Sequence, residues 1–497
     1  MRTLLLVGLL PACAPTPDAL HPDQCPDVNE DLTELKDADL VGMPIVIEQS
    51  IQATMGGRFP GCAVAIADAG EVVFAKGYGA ADLGADLANP ADDVAWDLRT
   101  TSNLGSVSKM LTAVAVLRLD EMNVIDIDLP LSSWLSPNVP GWDDVTVRQV
   151  LQHRAGFVRD PDASDPAALD AATIDATFAE PRASQHPRYA IWEFLLTPAA
   201  EPEQAMIGRY RYSNVGYTLL GALIDEVTRQ PGFPGARGYE PFVWSVVTDA
   251  PDGTLTACLD HDWRAGQMPD HAVSYTPNGG AVIDVAYSGW QGPAGGWSTT
   301  IADLARFAAN LEAGHIVSAA TLAEMRALPP GWVAGEERYG LGVFLDPVNN
   351  LPAYGHGGVI EGYRAQVYVW PDSDLAVAVQ CNADTTGVGL IASEAGRLYM
   401  AGNLTAVAIS PEERQRMQTA TWEVSTDHVD ALQPVVVRSI GALGQRRFLG
   451  ALHSQLMAHP GYGPRFLTAV RMGDVELASE VMLAGIGADG RLGPYRP

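Results

Sequence analysis

The sequence predicts an α+β fold: one antiparallel sheet with helices packed on it. Three observations carry this. Short β-rich runs lie early, at Gly61 to Ala67 and Glu71 to Ala75. Others lie late, at Tyr339 to Leu345, Ala353 to Gly355, Tyr363 to Trp370 and Leu375 to Gln380. The turn signals Asp68-Ala69-Gly70 and Pro371-Asp372-Ser373-Asp374 join neighbouring runs as hairpins. The middle reads as helix and loop, so strands from both ends of the domain meet in one sheet against which that middle packs.

Taken in order, Pro44 to Met55 is weakly helical, Gly77-Tyr78-Gly79 continues the second strand, and Asp82 to Leu98 is a polar loop. Gly105 to Met122 follows, and Leu111, Ala113, Val114, Ala115, Val116, Leu117 and Leu119 leave it almost no polar face. A helix apolar nearly all round is a buried, central one. Val124 to Pro130 turns into a short helix ending near Trp134, and Thr146 to His153 is a helix stopped by Ala155-Gly156. Arg159 to Arg209 reads as short helices and loops, Asn214 to Thr228 as an apolar helix, and Gln230 to Gly292 as long and irregular. Gly295-Gly296-Trp297-Ser298-Thr299 leads into a helix to about Leu311, with Thr300 and Asp303 spaced as a capping box. Gly387 to Met400 closes the domain.

The 497 residues are 47% hydrophobic and 18% charged, a globular composition. Lys and Arg number 31 against 60 Asp and Glu, a net charge of −29 that argues against nucleic acid or an anionic membrane surface as partner. Met1-Arg2-Thr3 followed by Leu4 to Leu10 describes a secretory signal over residues 1–12. Leu10-Pro11-Ala12-Cys13 also resembles a bacterial lipobox. Cys13 is then the lipidated residue, residues 13–44 are a tether, and the membrane is met through that anchor alone. Plain secretion is the alternative. The expected place is the bacterial cell envelope, periplasm or outer membrane. Cys25, Cys62, Cys258 and Cys381 fit no zinc pattern; they can pair in an exported protein, though Cys62 and Cys381 also suit simple burial. Residues 45–400 form the catalytic unit. In 401–497, Ser410-Pro411-Glu412-Glu413 starts a helix, and Val436 to Met457 and Phe466 to Leu483 look helical, making a C-terminal helical extension.

The chemistry centres on Gly105-Ser106-Val107-Ser108-Lys109. Ser106 and Lys109 share one helical face at this spacing, and a nearby amine can take the proton of a weakly nucleophilic hydroxyl. The only lysines are Lys36, Lys76 and Lys109; every other basic side chain is Arg or His. Lys shifts its pKa readily on burial, whereas Arg stays protonated. A capping serine with a surface lysine one turn on is the competing structural explanation. Tyr212-Ser213-Asn214 places a phenol and an amide just before an apolar helix, the phenol able to act as a base if cations lower its pKa. Tyr354-Gly355-His356-Gly357-Gly358 puts small residues and a titratable imidazole on a strand. His153-Arg154-Ala155-Gly156 reads as structural. No phosphate loop and no clustered His/Cys set stands out, so no cofactor or metal is expected.

In this order, Ser-x-x-Lys, Tyr-x-Asn and His-x-Gly resemble the serine β-lactamase and penicillin-binding-protein superfamily, specifically its class C-like branch. Gln149 to Gly156 is similar to the Leu-Leu-x-His-x-Ser-Gly segment of that branch, and Gly295 to Phe307 to its Gly-Gly-x-x-Ser-Thr helix start. The resemblance implies a sheet flanked by helices and an all-helical subdomain. Ser106 is then the acylated nucleophile, Lys109 assists its deprotonation, and Tyr212 is the general base or proton relay. Asn214 binds the acyl-side amide, His356, Gly357 and Gly358 form the third motif, and the backbone N–H groups of Ser106 and Val359 form the oxyanion hole. The implied activity is two-step hydrolysis of a small-molecule, peptide or ester substrate by an esterase, D-amino-acid peptidase or DD-carboxypeptidase. His356 stands where β-lactamases carry Lys, which weakens recognition of a substrate carboxylate and puts a class C-like β-lactamase behind those readings. A non-catalytic cell-envelope scaffold is the reading from another class. Oligomeric state stays open.

Overall fold

The computed structural model describes residues 60–84, 90–135, 139–160, 200–248, 270–275, 292–349, 351–360, 362–383 and 387–402. The leader, Cys13, Cys25, the 44–55 helix, Cys258 and everything past 402 lie outside the described residues, as do most of Arg159 to Arg209 and much of Gln230 to Gly292.

The early hairpin forms as its turn chemistry dictates. β1 (Cys62–Asp68) and β2 (Glu71–Tyr78) are joined by Ala69 and Gly70, with φ of 53° and 91°. Positive φ at both central residues of a two-residue loop gives the twist that paired strands share. β3 (Ala80–Asp82) pairs with β4 (Val94–Ala95) inside the segment expected to be a polar loop. Leu83 and Trp96 are buried there, and their apolar surface draws the loop onto the domain. β5 (Thr101–Asn103) runs up to a 3₁₀ turn, Gly105–Val107, and helix α1 (Ser108–Glu121) follows without a break. α2 (Val147–Leu151) is held by a capping box between Thr146 and Gln149. α3 (Asn214–Thr228) is capped by Ser213.

α4 (Tyr239–Thr248) occupies part of the stretch read as irregular. Its periodic signal was present: Tyr239, Phe242, Val243, Val246 and Val247 are buried at helical spacing. The β-branched residues and Pro241 masked it. α5 (Gly292–Gly295) and β6 (Ser298–Thr300) follow, and β6 pairs with β5 in the register Thr101 to Thr300. α6 (Ile301–Glu312) starts at Thr300, which accepts the N–H of Asp303 as its spacing predicted. α7 (Ala319–Met325), capped by Ser318, went unread in the sequence.

Tyr339 to Leu345 is not a strand. Gly342 has φ of 88° and packs so tightly that a Cβ there would come within 2.4 Å of Ala113 on α1. Its pairing is confined to isolated bridges, Tyr339 with Phe344 and Phe344 with Gly355 of β7, while Leu341 and Val343 are buried in the main core. β7 (Tyr354–Ile360), β8 (Tyr363–Trp370) and β9 (Leu375–Cys381) complete the sheet, and α8 (Val388–Gly402) closes the described chain.

Strand order is β2-β1-β9-β8-β7, entirely antiparallel, so the two ends of the domain meet where β1 lies beside β9. Every residue of β9 is buried. Ala365, Val367 and Val369 of β8 face the main core with α1 and α6, whereas Tyr368 and Trp370 meet Gly389 and Gly396 of α8 on the other face. Cys62 and Cys381 are direct register partners and form a disulfide across the β1–β9 seam, so burial is not their whole role.

Candidate active site

Ser106 sits in the 3₁₀ turn, not in the α-helix proper. The turn runs straight into α1, which carries Lys109 three residues on, so the two side chains share one face. The turn is built by Gly105, whose φ is 49° and whose N–H donates to Asn103 Oδ1 at 2.7 Å. A Cβ on Gly105 would lie 2.7 Å from Val359 N, so glycine lets β7 approach the nucleophile's backbone. Gly358 makes the same approach from the other side: its Cβ would fall 1.8 Å from Leu104 O.

Lys109 is fully buried. Its Nζ lies 3.1 Å from Ser106 Oγ, 2.7 Å from Asn214 Oδ1 and 2.6 Å from Ala294 O. Burial pushes its pKa well below the usual lysine range; Asp160 opposes that shift and Arg159 adds to it. A neutral amine has two N–H groups and one lone pair. Two of the three neighbours are carbonyl oxygens, which only accept. They take the two N–H groups and leave the lone pair facing the Ser106 hydroxyl. Ala294 contributes through its backbone, so no side-chain motif announced it. Its place is set where Thr112 donates to Pro293 O (2.7 Å) and Trp297 N–H donates to Ser108 Oγ (3.1 Å).

Tyr212 immediately precedes the α3 cap, and its hydroxyl is hydrogen-bonded to Ser106. Lys109 Nζ lies 4.9 Å from its ring centroid. Burial is the largest influence on the phenol and raises its pKa, outweighing the Ser106 hydrogen bond and Arg159. The residue is therefore a neutral phenol near pH 7, since the nearby cations do not bring its pKa below the ordinary value. Asn214 opens α3, takes Lys109 on Oδ1 and donates from Nδ2 to Asp160 Oδ1 at 2.6 Å.

His356 is brought to the site on β7, but its imidazole is buried. Nδ1 lies 2.6 Å from Gly357 O and Nε2 lies 3.1 Å from Tyr339 Oη. The neutral tautomer that satisfies both donates from Nδ1 and accepts at Nε2. Burial, with Lys109 nearby, pushes its pKa down to about 3. The titratable imidazole is thus held neutral, with both nitrogens engaged inside the protein. Gly357 and Gly358 lie beside the 3₁₀ turn on the edge strand, and the Val359 side chain is exposed.

His153, read from sequence as structural, stands in the site wall. It has φ of 57°, its Nδ1 accepts the Ser213 N–H at 3.1 Å, and its ring centroid is 4.2 Å from that of Tyr212. Its backbone carbonyl accepts the Arg211 N–H at 2.7 Å, so it holds both neighbours of the Tyr212 position, and burial keeps it uncharged. Tyr339, Asp160 and Arg159 also line the site without having been singled out. Among the described residues no group of three or more His, Cys, Asp or Glu is placed to hold a metal ion.

A serine aligned with a buried amine, on an antiparallel sheet flanked by helices, defines a serine hydrolase of the β-lactamase/transpeptidase fold. The chain belongs to the Beta-lactamase family, whose model matches residues 47–399. A D-aminopeptidase of Cereibacter sphaeroides is 26% identical over 180 residues, which is 36% of this chain and 33% of that protein. The alignment thus spans about a third of that relative's length. The octameric penicillin-binding protein homologue from Pyrococcus abyssi superposes with a TM-score of 0.55 at 21% identity, covering 78% of this chain and 86% of that one. The D-amino acid amidase from Ochrobactrum anthropi superposes with a TM-score of 0.54 at 18% identity, covering 73% and 98%. These two structures share the fold.

Proposed function

We propose that this hydrolase cleaves an amide or ester by two-step acyl transfer at Ser106, with D-amino-acid amides or peptides as the favoured class. The observation that carries the reading is the placement of Lys109 Nζ: two carbonyl oxygens take its N–H groups, and its free electron pair is left for the Ser106 hydroxyl. Ser106 Oγ attacks the substrate carbonyl while its proton passes to Lys109. The oxyanion is received by the N–H groups of Ser106 and Val359, each such donor being worth about 3 kcal/mol of barrier. Tyr212, hydrogen-bonded to Ser106 and neutral, relays the proton to the leaving group. Water then attacks the acyl-enzyme by the reverse path.

Two features support the substrate class. The D-aminopeptidase named above is a relative by sequence. His356 supplies no cation for the carboxylate that β-lactams and DD-carboxypeptidase substrates carry, which places those activities behind an amidase or esterase. Export to the envelope, with or without lipidation of Cys13, remains part of the proposal; the Cys62–Cys381 disulfide supports an oxidising compartment.

A fluorophosphonate probe and intact-mass spectrometry test it. Wild type should form a Ser106 acyl adduct with D-phenylalanine amide or p-nitrophenyl acetate faster than with nitrocefin, and Ser106→Ala should form none. Equal labelling of wild type and Ser106→Ala would sink the hydrolase mechanism.

A further inference from the structure

The uncharged state of the inner site leaves a simple question: which charge meets the substrate? Lys109, His153 and His356 are all shifted toward their neutral forms by burial, and Tyr212 is kept a phenol. Among the described residues, Arg159 and Asp160, adjacent in sequence, are the charged side chains that act on Lys109. They are not equivalent. Asp160 is tied into the catalytic hydrogen-bond chain, since its Oδ1 accepts from Asn214, whose other amide atom holds Lys109. Arg159 is 70% exposed and lies over the Tyr212 ring, 5.2 Å from its centroid. Their mutual contact, Arg159 Nε to Asp160 Oδ2 at 3.4 Å, is a solvent-exposed ion pair. Such a pair contributes about 0–1 kcal/mol and gives way to a better ligand.

We infer that the Asp160 carboxylate receives a protonated amine on the acyl half of the substrate, so that preferred substrates carry a free ammonium group beside the scissile carbonyl. This rests on the hydrolase reading above and narrows it to substrates with an unblocked amino end. Three observations converge on it. Asp160 is anchored at Oδ1 by Asn214, while its Oδ2 makes the exposed Arg159 contact that a better donor can replace. The surroundings favour a cation: Glu337 and Asp346 both act on neighbouring Tyr210, and the chain as a whole carries a net charge of −29. On β7, His356 offers a substrate carboxylate no cation, because both of its ring nitrogens are engaged within the protein. An ammonium held between Asp160 and the Asn214 side chain would sit next to the groups that act on the carbonyl, orienting the acyl half.

The test compares D-phenylalanine p-nitroanilide with its N-acetyl and N-succinyl counterparts, on wild type, Asp160→Asn and Asp160→Glu. Asp160 also influences Lys109, but all the anilides share that effect, so the ratio of kcat/KM values isolates amine recognition. Wild type should favour the free amine at least tenfold over the acetylated substrate. Asp160→Asn should lower that ratio at least tenfold, mainly through KM, and Asp160→Glu should retain part of it. An unchanged ratio in Asp160→Asn, or a wild-type preference for the acetylated substrate, overturns the inference. Preference for the succinylated substrate overturns it in favour of Arg159 as an anion receptor. Ser106-dependent hydrolysis of p-nitrophenyl acetate accompanying any of these leaves the hydrolase reading standing. If no Ser106-dependent turnover of ester or anilide occurs, both fail.

Discussion

Lys109→Arg puts a permanently charged side chain at the centre of the site and removes the one thing the geometry asks of Lys109, a lone pair. The Lys109 ammonium position is surrounded at 2.6 to 3.1 Å by Ala294 O, Asn214 Oδ1 and Ser106 Oγ, with no solvent exposure. A guanidinium there has five donors, no acceptor and no route to deprotonation. Loss of a positioned general base costs a factor of roughly 10²–10⁴, or about 3–5 kcal/mol of barrier. The larger buried cation adds a desolvation penalty of several kcal/mol in stability. Lys109→Met separates the two effects. It matches the lysine in length and buries no charge, but leaves Asn214 Oδ1 and Ala294 O without their donor, at roughly 1–3 kcal/mol each. Both variants should lose at least a thousandfold in kcat/KM on p-nitrophenyl acetate, with Lys109→Arg melting lower than Lys109→Met. Acylation of Ser106 in Lys109→Arg at more than a tenth of the wild-type rate, measured by intact mass, would refute the general-base assignment. In wild type the same assignment makes activity fall as pH drops through the lowered pKa of Lys109, since protonation consumes the lone pair.

Stability should also decline in acid. His356 titrates near 6.5 when unfolded and at about 3 in the fold, so between those values only the unfolded chain gains the proton. The contribution is whole above pH 6.5 and drains at up to about 1.4 kcal/mol per pH unit as pH falls toward 3. His153 is shifted in the same direction, so His356→Gln should flatten, not abolish, the slope of chemical-denaturation stability against pH. The Cys62→Ser/Cys381→Ser double variant should unfold at lower denaturant concentration by roughly 2–5 kcal/mol, and wild type should lose a similar amount under reductant while the variant does not respond. Gly358→Ala places a methyl where Leu104 O already stands and should displace β7 from the oxyanion hole, cutting acylation at least about a hundredfold. A Gly358→Ala protein that acylates normally would show that β7 does not form the hole.

The local sequence determined much of this protein. The type of turn at Ala69-Gly70, the caps at Thr146 and Thr300, and the buried character of α1 follow from residue types a few positions apart, so they were legible in the chain. The Ser106–Lys109 pair also lies within one turn of chain, and the motif order from Ser106 through Asn214 to His356 announced the family. What the chain order could not carry was anything set by packing across distant segments. Burial, a property of the whole fold, decided the protonation states: it favours Lys109 as a base, Tyr212 as a phenol and His356 as a neutral core residue. Tertiary contact likewise recruited the carbonyl of Ala294, turned a β-rich stretch at Tyr339 into an aromatic wall, joined Cys62 to Cys381 across 319 residues, and set Asp160 against Asn214. Residue type fixes which chemistry a side chain can perform; the electrostatic environment that selects among its states exists only once the chain has closed around it.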